Sequence, residues 1–494
     1  MHFIKSKKII RKGKRKNNTR KLKKKSIKRG GGVGSSRPLK EDTPKASKTS
    51  KAPSNKRMSS IPELSTIKSV SLSPVPSIPI FNSTIIPDLS NIKEIKPFGP
   101  PSNNGFIHLV TINDNMKAIL KSTQTLKQKE GYLMKPDNLM YEYLVGQYIN
   151  TLNNRFPCFL QTYGLYKYPD DPDPTYQKLV QSKKSGDDIT SDDIKNIEKV
   201  NVNDENLSDA LNIACKNDKH IAILLQYLPN IESFRNMLDK NKLTERDIIT
   251  SLYQVYFVLN VLKNKFTHYD LHARNVQLYE VSGDKYIQYH YHYHLNSGKV
   301  VLVSFKSKYL VKIIDYSRCF FYQNKNFSSG IISQQLNKAI DCITREKSGK
   351  QKPAGYDFGF QWLIPPPPPK NEEEEEEENY IVSTQLNISH DLRLLNDIKH
   401  ILPNMDDKPI LKTFLNNVYY KNEFGTPPVS EEHIKDKYIV NVNRAAKKLI
   451  TIITDNKPDN KPYYNEAPTE TSKLLCTLDI YSHKKDDMQI TYPK

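Results

Sequence analysis

Apolar and polar positions along this chain change period several times, and each change marks an element. Met116-Lys-Ala-Ile-Leu-Lys121 reads as a strand that ends in a lysine. Asn138 to Ile149 spaces its apolar residues at helical intervals and carries an internal carboxylate, Glu142. Ile221 to Leu228 is a short apolar strand stopped by Pro229. Ile248 to Phe266 has the apolar spacing of a buried helix, and Val276 to Val281 follows as a short strand. Val311-Lys-Ile-Ile-Asp315 is a further strand, closed by an acid. Between these last two, Tyr286–His294 and Val300–Phe305 alternate with period two and predict an extended hairpin. His290, His292 and His294 then share one face. With no cysteine or acid nearby in sequence, they read as a polar face and not as a metal site.

Several polar stretches break this pattern. Residues 1–57 hold 22 of the 75 basic residues and two of the 54 acidic ones, so nearly all of the net charge of +21 lies there. Such a stretch cannot bury a core and is expected to be a disordered basic tail. It is a handle for nucleic acid, acidic protein or another polyanion, or a plain solubilising arm. It lacks the apolar run of a secretory signal. Residues 58–95, rich in Ser, Pro and Ile, read as a linker. Asp170 to Lys219 reads as a polar surface insertion with one short helix. Residues 365–379 join a stiff polyproline run, Pro365–Pro369, to a solvated acidic block, Glu372–Glu378. Cys158, Cys215, Cys319, Cys342 and Cys476 show neither zinc spacing nor a disulfide framework, as expected in a reducing cytoplasm. No apolar run is long enough to span a membrane.

The stretch richest in chemistry is His268-Tyr-Asp270-Leu-His272-Ala-Arg274-Asn275-Val276, between the buried helix and a strand. A carboxylate and a carboxamide five residues apart on a tight loop can divide two tasks. Asp270 can orient and deprotonate a hydroxyl, and Asn275 can hold a divalent metal on a polyphosphate. Asp315, at the end of its strand, is placed for a second metal contact.

These residues resemble the catalytic and metal-binding loops of the protein-kinase-like superfamily. The resemblance implies that Lys121 binds the α- and β-phosphates of ATP and pairs with Glu142. Asp270, Asn275 and Arg274 would form the catalytic loop, and Asn275 and Asp315 would hold Mg²⁺. Ile221–Pro229 resembles the hinge between the two lobes. Leu225 would line the back of the pocket, and backbone groups at Gln226 and Leu228 would meet the adenine. Gly99, Gly105 and Ile107 would cover the nucleotide. Asn387-Ile-Ser-His-Asp391 resembles the central helix of the larger lobe, with Asp391 anchoring the catalytic loop.

Departures from the family pattern are as informative. Only Gly105 falls on a family glycine position of the phosphate-covering loop; Pro100 and Ser102 take the other two, and Gly99 lies one residue off. Prolines lack an N–H, so this turn offers phosphates fewer donors. The family's D-F-G is replaced by Asp315-Tyr316-Ser317. Tyr269 stands where regulated kinases carry arginine, which argues against clamping of an activation-loop phosphate. His272 replaces the lysine usual in serine/threonine kinases. Arg274 is similar to the tyrosine-kinase D-L-A-A-R-N pattern, and the whole loop is also similar to aminoglycoside phosphotransferases. Asp357-Phe-Gly359, just before the polyproline run, reads as a loop and not as a second metal site.

The resemblance implies an α+β, two-lobed kinase-like fold. Residues 96–228 would be the smaller lobe with its insertion at 170–219, and 229–460 the larger, with the insertion at 365–379. Residues 461–494 would be a C-terminal extension. The implied function is an ATP-dependent protein kinase acting on a protein hydroxyl, Ser/Thr before Tyr. The alternatives are a pseudokinase scaffold using the basic tail, or a small-molecule kinase of the aminoglycoside-phosphotransferase type. The Asn, Lys, Ile and Tyr bias with homopolymeric inserts resembles divergent kinases of large DNA viruses, which implies an intracellular setting: host cytoplasm, virus factory or virion.

Overall fold

The structure, a computed structural model, describes residues 89, 92–99, 106–112, 116–123, 138–168, 174–190, 197–202, 220–281, 283–295, 297–324, 328, 344–345, 351–352, 360–362, 380–382, 386–420, 437–455, 463–483 and 486–493. Residues 1–57, Gly105, the 365–379 insertion and Asp357-Phe-Gly359 lie outside this set. In chain order the first part comprises β1 (Ile92–Pro97), β2 (Phe106–Ile112), β3 (Met116–Ser122), α1 (Asn138–Asn150), β4 (Thr162–Lys167), α2 (Pro174–Ser185), β5 (Ile189–Thr190), β6 (Glu198–Val200) and β7 (Ile221–Gln226). Its strands form one antiparallel sheet in the order β5-β1-β2-β3-β7-β4-β6.

Two expectations are corrected here. Strand β1 begins at Ile92, inside the stretch read as a linker. The polar stretch 170–219 contributes helix α2 and both edge strands of the sheet, so it is more than a surface loop with one helix. Few apolar residues are needed for this. Tyr176 and Leu179, one helical turn apart, are buried with Ile95, Phe106, Val110 and Leu120 in a small core on one sheet face.

The second part begins with β8 (Ile231–Ser233), α3 (Phe234–Asp239), α4 (Glu245–Val261), β9 (Phe266–Thr267), β10 (Val276–Glu280), β11 (Lys285–His294), β12 (Val300–Ser307), β13 (Tyr309–Ile313) and β14 (Phe320–Phe321). Two isolated strand pairs follow, β15 (Thr344–Arg345) with β16 (Gln351–Lys352) and β17 (Phe360–Trp362) with β18 (Tyr380–Val382). A 3-10 turn, His390–Leu392, then leads into α5 (Arg393–Ile401), α6 (Pro409–Asn416) and α7 (Val442–Asp455). The chain closes on β19 (Lys473–Tyr481) and β20 (Gln489–Thr491). Helix α4 is the hub of the larger core. Thr244 caps it reciprocally with Asp247, and every residue from Ile248 to Asn260 is buried. A helix apolar on all sides needs partners on all sides, and α6, α7, β12 and β13 pack on it.

The hairpin pairs Ile287 with Ser307 through to His294 with Val300. Tyr289 and Tyr291 turn inward, with the Tyr291 ring 4.6 Å from that of Phe257 on α4. Strand β19 lies parallel to β11 and buries Cys476, Leu478 and Ile480 in the same core. Residues 461–494 therefore include an interior strand, not just an extension; the inward alternation at 476, 478 and 480 was the available signal. This strand also supplies the acid missing from the histidine face: Asp479 Oδ1 lies 2.9 Å from His292 Nε2 and 3.4 Å from His290 Nδ1. Among the described residues no group of three His, Cys, Asp or Glu side chains is gathered to hold a metal, and no helix is long and apolar enough to cross a membrane.

Candidate active site

Three strand ends and one helix bring the charged residues together. Lys121 is near the end of β3, and Glu142 lies one turn into α1. Helix α1 can approach the sheet because residue 146 is glycine: a Cβ there would fall 2.2 Å from Thr162 Oγ1 on β4. Asn150, at the end of α1, fixes the same contact, accepting from Thr162 N at 3.1 Å and donating to Thr162 O at 2.6 Å. Strands β10 and β13 are antiparallel with Val276 opposite Ile313. Asn275, just before one, and Asp315, just after the other, thus emerge at the same end. Ile314 N donates to Asn275 O at 3.0 Å.

Lys121 Nζ is 2.6 Å from Glu142 Oε2 and 3.4 Å from Asp315 Oδ1. Burial alone would lower the pKa of this ammonium, but the carboxylates of Asp315 and Glu142 outweigh it and hold the pKa above the ordinary lysine range. Burial also pushes the Glu142 carboxyl up, to about 7, against the opposing pull of the Lys121 ammonium. Asp315 is held below the usual carboxylate range, because Lys121, His268 and the Ser317 hydroxyl overcome its burial. Ser317 Oγ donates to Asp315 Oδ1 at 3.2 Å. The tyrosine of Asp315-Tyr-Ser is equally engaged: its buried hydroxyl donates to Ile313 O at 2.6 Å and accepts from Leu160 N at 2.9 Å.

The loop carrying Asp270 is fixed from two sides. Asp391 accepts from His268 N at 2.8 Å and Tyr269 N at 3.0 Å, the anchoring that the sequence suggested. His268 is buried and its pKa is pushed down to about 4, chiefly by desolvation, so the ring is neutral near pH 7. Its Nε2–H donates to Ile314 O at 3.0 Å while Nδ1 accepts from Asp270 N at 3.3 Å, which links the loop to the Asp315 segment. Asn275 Nδ2 donates to Asp270 O at 2.9 Å, leaving the amide oxygen as the atom it can offer a cation. Tyr269 and Asp315 both have positive φ, 64° and 65°. Non-glycine residues adopt this conformation at a cost, and here it occurs beside each of the two key carboxylates or at them.

Of the residues expected to contact nucleotide, Ile107 lies directly opposite Lys121 in the β2–β3 register, so their side chains share a face. Gly99 has φ +64°, and Lys183 of α2 donates to the carbonyls of Phe98 and Gly99. Gln226 is buried, and its N–H donates to Gln161 O at 2.9 Å. Leu228 is buried in the larger core, with Leu225 packed against it from the edge.

Arg274 is exposed, and the structure does not bring it to Asp270. The guanidinium found there belongs to Arg393, whose Nη1 is 2.6 Å from Asp270 Oδ1. Farther out are His272 Nε2, 3.8 Å from Oδ1, and Arg318 Nε, 4.0 Å from Oδ2. Asp397 accepts from Ala273 N at 2.8 Å. Sequence reasoning missed Arg393, Arg318 and Asp397. The spacing of Asp391, Arg393 and Asp397 along one turn and helix is a signal only once Asp391 is known to face the loop.

No protein-family model matches this chain, and no curated protein is similar to it in sequence. Among solved structures it is similar to a MAP kinase, LmaMPK10, from Leishmania major, at 10% identity and a TM-score of 0.23. That match covers 49% of this chain and 55% of the other, so it spans about half of the kinase. A likeness so slight carries no weight in assigning a function.

Proposed function

We propose that this chain is an ATP-dependent phosphotransferase of the protein-kinase-like type, transferring the γ-phosphoryl group to a protein hydroxyl, serine or threonine before tyrosine. The observation that carries the reading is Lys121, held between Glu142 and Asp315 on one side of a site whose other side presents Asp270. A lysine so oriented is suited to the α- and β-phosphates. Asp270 is suited to align the acceptor hydroxyl and take its proton. As the acceptor oxygen bonds to the γ-phosphorus, the bond to the β–γ bridging oxygen breaks, and ADP leaves with that electron pair.

The oxygens of Asp315 and Asn275 fit Mg²⁺, which takes one or two protein oxygens and completes its shell with phosphate and water. When bound, the ion would neutralise charge on the phosphates. Lys121 would contribute to the same end from the protein side, and Glu142 would keep the ammonium in place.

The test is ATP turnover by the full chain with mixed protein acceptors, with and without Mg²⁺, for wild type, Asp270→Asn and Asp315→Asn. Each substitution is expected to reduce transfer by roughly 10³-fold or more. Asp270→Asn should leave MgATP affinity nearly unchanged, whereas Asp315→Asn should weaken it. Full activity in both variants would refute the assignment. Transfer to an aminoglycoside but to no protein would move the reading to a small-molecule kinase.

A further inference from the structure

Asp270 is held by its side chain as well as by its loop, and the residue that holds it lies 123 positions away in the sequence. Resting on the phosphotransferase reading, we propose that Arg393 is the positioning residue for Asp270, fixing its carboxylate relative to the acceptor hydroxyl.

The geometry separates Arg393 from the other cations nearby. Its Nη1 donates to Asp270 Oδ1 at 2.6 Å, while Arg318 and His272 are at 4.0 Å and 3.8 Å, beyond hydrogen-bond reach. Arg393 is also well founded: it is the first residue of α5, directly after the 3-10 turn that carries Asp391. One turn later, Asp397 holds Ala273 N. A single rigid segment therefore grips the loop by backbone at three points and by the reacting side chain at a fourth.

That fourth grip has a physical purpose. The residue before Asp270 sits at φ 64°, and the terminal torsion of an aspartate side chain is intrinsically broad. A charge-assisted bond to a planar guanidinium removes that freedom. Misplacing a catalytic group by about 1 Å can cost roughly 100-fold in rate, which sets the scale of the expected effect.

The experiment measures single-turnover transfer and MgATP affinity separately for the full chain. Arg393→Met is expected to slow transfer by roughly 100-fold while MgATP affinity stays within about threefold. Arg393→Lys should recover part of the rate, and Arg393→Gln, with no charge, should not. If Arg393→Met proves unfolded in a thermal melt, the Lys and Gln variants decide by themselves; equal rates in those two would overturn the proposal. The Asp270→Asn/Arg393→Met double variant should be no slower than Asp270→Asn alone, since Arg393 acts through that carboxylate. Multiplicative losses, or an Arg393→Met rate within threefold of wild type, would overturn it too. A wild-type chain that transfers no phosphoryl group would fail the phosphotransferase reading first, and the role of Arg393 with it.

Discussion

Burial pushes three histidines well down: His108 and His268 to about 4, His390 to about 3. His268 has a partner for each ring nitrogen, but His108 and His390 have none among the described residues. The nearby charge of Lys183 lowers His108 further, and Arg393 does the same to His390. A histidine whose pKa is lower folded than unfolded binds fewer protons in the native state between those two values. Stability then rises with pH across that window, is fully present above about 6.5, and is lost as pH falls towards 4. Asp391 works in the opposite sense: burial raises it to about 7, so its contribution declines as pH climbs from about 4 to 7. Comparing wild type with His108→Phe cancels Asp391. From pH 7 to pH 4.5, wild type is expected to lose on the order of 2 kcal/mol relative to the variant, from about 1.4 kcal/mol per pKa unit. Urea midpoints at both pH values check this, and parallel curves would show that His108 is not held neutral.

At the scale of elements, the site depends on how closely α1 approaches β4. That approach is set by one missing Cβ at Gly146 and by the two bonds of Asn150 to Thr162. In Gly146→Ala the new methyl would meet Thr162 Oγ1 at 2.2 Å and Thr162 Cβ at 2.7 Å, so the helix must move. Overpacking of this kind costs about 1–3 kcal/mol. The displacement also acts on Glu142, one turn earlier on the same helix, and so on its contact with Lys121. The expected result is a lower melting temperature together with weaker MgATP binding. A variant that melts lower yet binds MgATP as wild type does would show that Glu142 keeps its place when the helix shifts.

Across the whole molecule, the end of the sequence belongs to the larger core. Strand β19 runs parallel to β11, and Cys476, Leu478 and Ile480 are buried with Tyr289, Tyr291 and Phe305. Arg155 donates to the carbonyls of Ser482 and His483, and Met488 N donates to Asn154 O at 2.8 Å, which ties this segment to the turn after α1. Removing residues 461–494 would expose the inner edge of β11 and strip its core of four buried side chains, Tyr464 among them. At about 1.5–3 kcal/mol for each large apolar side chain, that loss is comparable to the total stability of a typical domain. The truncated chain is expected to be aggregated or unfolded by circular dichroism; a soluble product with a wild-type melt would mean that β19 is dispensable.

Local pattern was enough for the elements with a regular or continuous apolar spacing. Helix α4, strands β3, β7 and β13, and the β11–β12 hairpin follow from apolar spacing, because that period is set by the geometry of each element and not by its partner. Asp270 and Asn275 were legible as candidates from their spacing on one loop, and Asp315 from its place at the end of a strand. What the chain could not reveal locally was every contact between residues far apart in sequence. The polar stretch 170–219 was expected to hold one short helix, but not the two edge strands of the sheet, whose pairing partners lie elsewhere in the sequence. The partner of Asp270 is Arg393 and not the neighbouring Arg274, because a side chain's direction is set by the packing of its element and not by its distance along the chain. The place of β19 beside β11 is likewise a tertiary decision: a parallel pairing between segments nearly 190 residues apart leaves no local mark.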